Sequence, residues 1–268
     1  MMKDKFTLVI TVHEDLSFIR QLLDYYKDAP FNIIIADSSR ELGGYAKNVP
    51  SNAQVVHEPG RFWYKKLNDI YNIIETPYVL DMADDDKIEI RAIEECVEFL
   101  ENNSNFVAVS GRWDNDKQVD FTVSTDFMTR IYGNMGRWGG QPNPGCPCPN
   151  HAVFRTKVIH DCYKWVAELP DGFPIRWWDK FLTFCLFFYG NYMNLDIKYG
   201  TSGPSRRMDN IINLIPESNK LHYNLTWLDI FNNTDDNFSY PVSLIQTMGV
   251  DLEEAQEFVK RAFERFPR

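Results

Sequence analysis

Positive charge is scarce in this chain of 268 residues, where 28 Lys and Arg stand against 38 Asp and Glu for a formal net charge of −10. Binding to nucleic acid without regard to sequence needs a basic footprint, so that class is excluded. Positive charge for any phosphate ester must come from a metal or from a few placed Arg and Lys. Long apolar runs are missing as well. Phe6-Thr7-Leu8-Val9-Ile10-Thr11-Val12 is interrupted by His13-Glu14-Asp15 with no cleavage-site pattern, so it reads as a first strand rather than a signal peptide. The apolar stretch Phe181–Tyr189 is only about half of the ~20 residues that cross a bilayer. The expectation is a soluble, cytoplasmic protein with no transmembrane segment, peripheral contact with a membrane being the alternative. Cysteine is sparse and irregular, and five residues without a regular framework suit a reducing compartment. Cys146, Cys148, His151, His160 and Cys162 are zinc-type ligands whose spacing fits no common zinc template, against ordinary thiols beside a proline-stiffened loop. N-x-Ser/Thr triplets at Asn224, Asn232 and Asn237 carry no meaning without secretion. No internal repeat and no low-complexity tract occurs.

What is present is ample material for a core: 44% hydrophobic and 15% aromatic residues. The first 110 or so residues alternate strand and helix signals, the pattern of a parallel sheet covered on both faces. Thr7–Val12, Asn32–Ala36, Gln54–His57, Tyr78–Ala83 and Phe106–Ser110 are short, apolar and β-branched. Between them Phe18, Ile19, Leu22, Leu23 and Tyr26 fall at helical spacing, as do Leu67, Ile70, Tyr71 and Ile74, and then Ile90, Ile93, Val97 and Leu100. Beyond Arg112, Val119, Phe121 and Val123 alternate as in a half-buried strand, and a Gly/Pro-rich stretch from Gly133 to Pro149 reads as a long ordered loop. His151–Arg155 and Tyr192–Ile197 are further strands, Trp177–Tyr189 a largely buried helix, and the tail from about Ser218 is helical.

Asp84-Asp85-Asp86 closes the apolar run Tyr78–Ala83. Adjacent carboxylates repel by roughly 1 kcal/mol per close pair even in water, so a trio at the end of a buried strand asks for a cation or full exposure. An EF-hand calcium loop counted from Asp84 would need Gly at the sixth place and has Glu89. Ligands of open α/β sheets bind at the carboxyl edge. There Thr11, His13 and Glu14 follow the first strand, Asp37-Ser38-Ser39 the second, and the acidic trio the fourth, with Asn68 on the preceding helix. Asp37 can accept from a ribose hydroxyl or a base N–H, or merely cap a turn. Asp81 is a structural hydrogen-bonding group if it faces the sheet.

Ile33-Ile34-Ile35-Ala36-Asp37-Ser38-Ser39, Lys65-Lys66-Leu67-Asn68, Thr76-Pro77-Tyr78-Val79-Leu80 and Asp84-Asp85-Asp86 succeed the first strand in the order and spacing of the family 2 type of GT-A glycosyltransferases, which the chain resembles. The resemblance implies a Rossmann-like, mostly parallel sheet flanked by helices, with a helical C-terminal tail. It implies one catalytic domain over residues 1–215, made of a nucleotide-sugar-binding half at 1–113 and an acceptor side at 114–215, and residues 216–268 packed on it. The reaction implied is transfer of a sugar from a nucleoside diphosphate donor, a UDP-sugar in the first place, to a saccharide or lipid-linked saccharide hydroxyl, with inversion. Asp37 would then bind base or ribose, Asp84 of a D-x-D signature would approach the ribose or the metal, and Asp86 would ligate Mn²⁺ or Mg²⁺ across the diphosphate, with Asp85 an ambiguous neighbour on the donor side. Asp179, in Arg176-Trp177-Trp178-Asp179-Lys180, would take the acceptor proton, or alternatively be a helix N-terminal acid; the family more often shows Glu-Asp at this point.

Other residues keep two readings each. Trp138, Trp177 and Trp178 stack on acceptor sugars or fill the core. Arg206 and Arg207 in Thr201-Ser202-Gly203-Pro204-Ser205-Arg206-Arg207 grip the diphosphate or are solvated surface charges, and Arg61, Lys65 and Lys66 are further phosphate partners. His222, with His151 behind it, completes a metal shell or is simply hydrogen-bonded. Two rival functions remain. A sugar-phosphate nucleotidylyltransferase would want a Gly-rich loop after the first strand, where Thr11-Val12-His13-Glu14-Asp15 has no glycine. A non-catalytic nucleotide-sugar-binding module would keep the pocket without a working base.

Overall fold

The computed structural model describes residues 1–14, 17–61, 63–113, 151–167 and 189–201, with single positions at 182, 185, 186, 203, 251 and 253. Eight strands form one sheet: β1 Phe6–Val12, β2 Asn32–Asp37, β3 Ala53–His57, β4 Tyr78–Ala83, β5 Lys87–Ile88, β6 Phe106–Trp113, β7 Val153–Arg155 and β8 Asn191–Thr201, in the spatial order β3-β2-β1-β4-β7-β6-β8-β5. Around it lie α1 Ile19–Tyr26, α2 Trp63–Tyr71, α3 Ile90–Asn102 and a fourth helix, α4, Thr156–Ala167.

The continuous apolar runs predict strands covered on both faces, and β1 and β4 are buried along nearly their whole length. On α1 the residues Ile19, Leu22, Leu23 and Tyr26 are buried, the i, i+3, i+4, i+7 set that puts one stripe against a sheet. Ile93, Cys96, Val97 and Leu100 do the same for α3. Tyr26 fixes α1 to the edge strand: its hydroxyl donates to Ile88 O at 2.8 Å and accepts from Ile88 N at 2.9 Å, standing in for a neighbouring strand.

The pairings β1–β2, β1–β4, β2–β3 and β6–β8 are parallel, as the βα alternation requires. The departures are the edge strand β5, antiparallel to β8, and in mid-sheet β7, antiparallel to both β4 and β6. The strand β7 enters the middle of the sheet from the opposite direction, so its start lies at the carboxyl end of β4. The helix α4 has no counterpart in the sequence reading. Its buried Ile159, Cys162 and Tyr163 make only a short stripe, and Lys157, Asp161 and Lys164 pair along its exposed side at 2.6 and 3.2 Å. Tyr163 stacks on Tyr71 of α2 with ring centroids 5.0 Å apart, and His160 stacks on the same ring at 6.3 Å. Cys162 and Cys185 are buried free thiols, both pushed up by burial, which is the behaviour of packing groups rather than zinc ligands. Cys146 and Cys148 lie outside the described residues. Leu182, Cys185 and Leu186 are helical and buried, and most of the expected helix Trp177–Tyr189 lies outside the described residues. Among the described residues no helix is long and apolar enough to cross a membrane.

Arg155, the last residue of β7, closes the end of α3. Its Nε donates to Phe106 O at 2.8 Å, and one terminal nitrogen donates to Leu100 O at 2.6 Å and Asn103 O at 3.2 Å. Helix-terminal carbonyls otherwise lack donors, and a cation there also opposes the negative end of the helix dipole. Arg155→Met is expected to lower unfolding free energy by about 2–3 kcal/mol, the range for lost bonds from a charged donor, read as a lower urea midpoint at unchanged slope.

Candidate active site

Parallel register brings the predicted segments to one edge. Val12 pairs with Asp37, Asp37 with His57, and Thr11 with Ala83, so the turns after β1, β2 and β4 open side by side. Thr11 spends its hydroxyl within the sheet, donating to Met82 O at 3.1 Å. His13 Nδ1 lies 3.0 Å from Ser38 Oγ, and burial, then the Lys66 charge, hold this imidazole below its usual range. Glu14 takes a left-handed backbone at φ 58°. Its amide donates to Ser39 Oγ at 2.8 Å, and its carboxylate accepts from the Arg40 amide and Nε at 3.2 and 3.0 Å, which lowers its pKa.

Asp37 is fully buried, and its two oxygens accept from the Ser39 amide at 2.8 Å and the Tyr45 hydroxyl at 2.5 Å. Tyr45, from the short 3-10 helix Gly44–Asn48, carries no motif signal and was missed by the sequence reading. Burial and the Asp37 carboxylate push its hydroxyl pKa up. Lys66 is 1% exposed on α2, its ammonium donating to Val12 O and Ser38 Oγ, both at 3.0 Å. It faces the strand ends from beneath rather than solvent. Burial brings it down to about 8, opposed by the Asp37, Asp84 and Glu58 carboxylates. Asn68, also on α2, holds a buried Oδ1 with no hydrogen-bond partner among the described residues.

Within the acidic trio the three positions differ. Asp84 is 2% exposed and turned inward, while Asp85 and Asp86 are half-buried. Asp86 Oδ1 accepts from the Gly203 amide at 3.2 Å, and Oδ2 lies 3.5 Å from His151 Nε2. Burial raises the Asp86 carboxyl, with His151 opposing and Asp85 adding. The approach of residue 203 requires glycine, because a Cβ there would overlap the Asp85 carbonyl. His151 Nδ1 is 2.9 Å from Asp81 O. Asp81 itself is fully buried in the sheet, accepting from Tyr71 at 2.7 Å and Tyr163 at 3.5 Å, the structural role its alternation predicts. Among the described residues no three His, Cys, Asp or Glu side chains gather into a metal cage. Trp138, Trp177, Trp178, Asp179, Arg206, Arg207 and His222 lie outside the described residues.

The mixed sheet with flanking helices, an acidic turn after β4 and Asp37 closing β2, has a GT-A-like fold. The family described as glycosyl transferase family 2 matches residues 7–162, more than half of the sequence, and the chain belongs to that family. Among solved structures, S. aureus TarS is similar with a TM-score of 0.51 at 14% identity, over 97% of this chain and 54% of that one. S. aureus TarS 1-349 gives 0.51 at 16% identity, over 96% and 78% of the two chains. S. aureus TarS 1-349 in complex with UDP-GlcNAc gives 0.53 at 14%, over 96% and 79%. At such identity the likeness is one of fold, and the chain spans about half the length of the TarS chain first compared. No curated protein matches it.

The depressed Lys66 pKa fixes a pH signature. A buried amine at about 8, against 10.5 when unfolded, binds its proton less tightly in the native state, so its contribution to stability rises with pH across that window. Urea unfolding at pH 8 and pH 10 is expected to show that rise in the wild type and its loss in Lys66→Met.

Proposed function

We propose that this chain is a metal-dependent transferase that moves a sugar from a UDP-sugar to a hydroxyl of a saccharide or lipid-linked saccharide, with inversion at the anomeric carbon. The observation that carries the reading is the meeting of Asp37, Asp84 and Asp86 at the carboxyl edge of the sheet in a family 2 chain.

The donor set suits a hard divalent ion. Asp86 points Oδ2 toward His151 Nε2 at 3.5 Å and gives Oδ1 to the Gly203 amide, and Asp84 is buried in the same turn. Asp86 would hold Mn²⁺ or Mg²⁺, hard ions that prefer oxygen ligands, with the buried Asp84 adding negative charge behind it. Bound there, the ion supplies neutralisation of the negative charge that grows on the departing diphosphate. Asp37 anchors the base and ribose side by fixing the Ser39 amide and the Tyr45 hydroxyl. Ser38 and Lys66 hold the ends of β1 and β2 in place, and the buried ammonium lets Asp37 and Asp84 stay ionised near one another.

In the chemical step Asp179 accepts the proton of the acceptor hydroxyl while its oxygen bonds to the anomeric carbon from the face opposite the diphosphate. The bond from that carbon to the diphosphate oxygen breaks, and the electron pair leaves with UDP. Arg206 and Arg207 hold the diphosphate, and Trp138, Trp177 and Trp178 form the acceptor wall. Their support is their order in the chain and the chemistry of each side chain.

Thermal unfolding with UDP, with and without Mn²⁺, tests the donor half. UDP with Mn²⁺ at about 100 times its dissociation constant should stabilise the native state by about 2.7 kcal/mol. Asp86→Ala should lose the metal-dependent part. Asp179→Asn should keep the shift while UDP release in the presence of acceptor falls by about 10²–10⁴-fold. A wild-type chain that gains no stability from UDP or any UDP-sugar under either condition would sink the reading.

A further inference from the structure

We infer that His151 is a second protein ligand of the donor metal, sharing the ion with Asp86; this rests on the transferase reading above and adds a residue to its site.

The topology explains why a residue so far along the chain is there. Because β7 runs antiparallel to β4, with Val79 opposite Phe154, the residues just before β7 reach the carboxyl end of β4, where the acidic turn begins. His151 stands two places before that strand. Its Nδ1 is 2.9 Å from Asp81 O, a carbonyl that can only accept, so Nδ1 carries the proton. In the neutral ring the lone pair then belongs to Nε2, the atom that faces Asp86 Oδ2 at 3.5 Å. Two ligand atoms thus face each other across a gap that a cation can fill.

A charge-assisted hydrogen bond is not the best fit, since N–H⁺ to carboxylate contacts close to about 2.7–2.9 Å. Two ligand atoms each ~2.1 Å from one ion stand roughly 3 Å apart, or somewhat more when the angle opens, and the observed gap is of that kind. The surroundings hold the pair as metal ligands are commonly held, through their outer atoms. The Asp81 carbonyl fixes the imidazole, and the Gly203 amide fixes the other Asp86 oxygen. His151 also takes a left-handed backbone at φ 69°, unusual for a residue with a side chain. The Tyr199 hydroxyl donates to its carbonyl at 2.6 Å, and the Trp113 ring meets the imidazole edge to face at 6.2 Å. Those contacts maintain the conformation and leave Nε2 aimed at the carboxylate. An imidazole nitrogen is a softer ligand than a carboxylate or water oxygen, and the transition ion Mn²⁺ accepts it more readily than Mg²⁺ does.

The test is pulsed electron paramagnetic resonance of the full chain with Mn²⁺ and UDP, together with Mn²⁺ and Mg²⁺ affinities by calorimetry. Wild type should show nitrogen coupling from a coordinated imidazole. His151→Gln should lose the coupling and about tenfold or more in Mn²⁺ affinity, with Mg²⁺ affected less. His151→Asp serves as the second variant and should bind Mn²⁺ without the coupling; metal-free thermal unfolding checks that both variants fold. UDP-dependent Mn²⁺ binding without nitrogen coupling in the wild type, or coupling that survives in His151→Gln, overturns the role of His151 and leaves the donor site standing. Absence of Mn²⁺ binding in the wild type, with or without UDP, overturns the parent reading as well.

Discussion

A buried ammonium under the strand ends is the interaction on which the site depends. Parallel pairing delivers carboxylates from β2 and from the turn after β4 to one edge, and without a countercharge their repulsion would work against the register that brings them there. Lys66 offsets this from below, bonded to Val12 O and Ser38 Oγ and electrostatically coupled to Asp37, Asp84 and Glu58. Its cost is desolvation, the same burial that depresses its pKa. The same edge also carries Asp86, held by the Gly203 amide and facing His151, and one cation is thus built into the fold of an acidic chain.

The antiparallel strand β7 is the other determinant. A sheet made only of parallel βα units would turn the carboxyl end of every strand to one edge. By inserting from the opposite direction, β7 brings the segment before it to the acidic turn and sends Arg155 to the far end, where it closes α3. One short strand therefore serves the site at its beginning and the scaffold at its end. The Gly203 amide reaches the same turn from beyond β8, so Asp86 is addressed by two segments from the second half of the described chain.

Much of this was legible beforehand, for local reasons. The strands β1, β2 and β4 announce themselves as apolar runs because a strand buried on both faces tolerates nothing else. The stripes on α1 and α3 follow from the 3.6-residue period. Asp81 was legible as structural only on the condition that it face the sheet, which the fold meets through Tyr71 and Tyr163. By contrast α4 hid behind a short apolar stripe flanked by charges, and Tyr45 had no pattern at all, since one aromatic residue in a short helix becomes a carboxylate partner only through folding. Lys66 reads in the sequence as a cation free to meet phosphate; its burial under Val12 and Ser38 depends on how α2 is seated.

The sequence by itself determined the family, the strand and helix order of the first half, and the residue types that meet at the carboxyl edge, because these are written in periodicity, in turn chemistry and in the order of short motifs. Tertiary structure alone decided which of those residues face inward and which face a ligand. Asp84 and Asp86 are two places apart in the same acidic run, yet one is 2% exposed near Lys66 and the other faces His151. The reason is that burial and charge pairing are set by segments distant in the chain, here α2 and the approach to β7, whose positions no local pattern encodes.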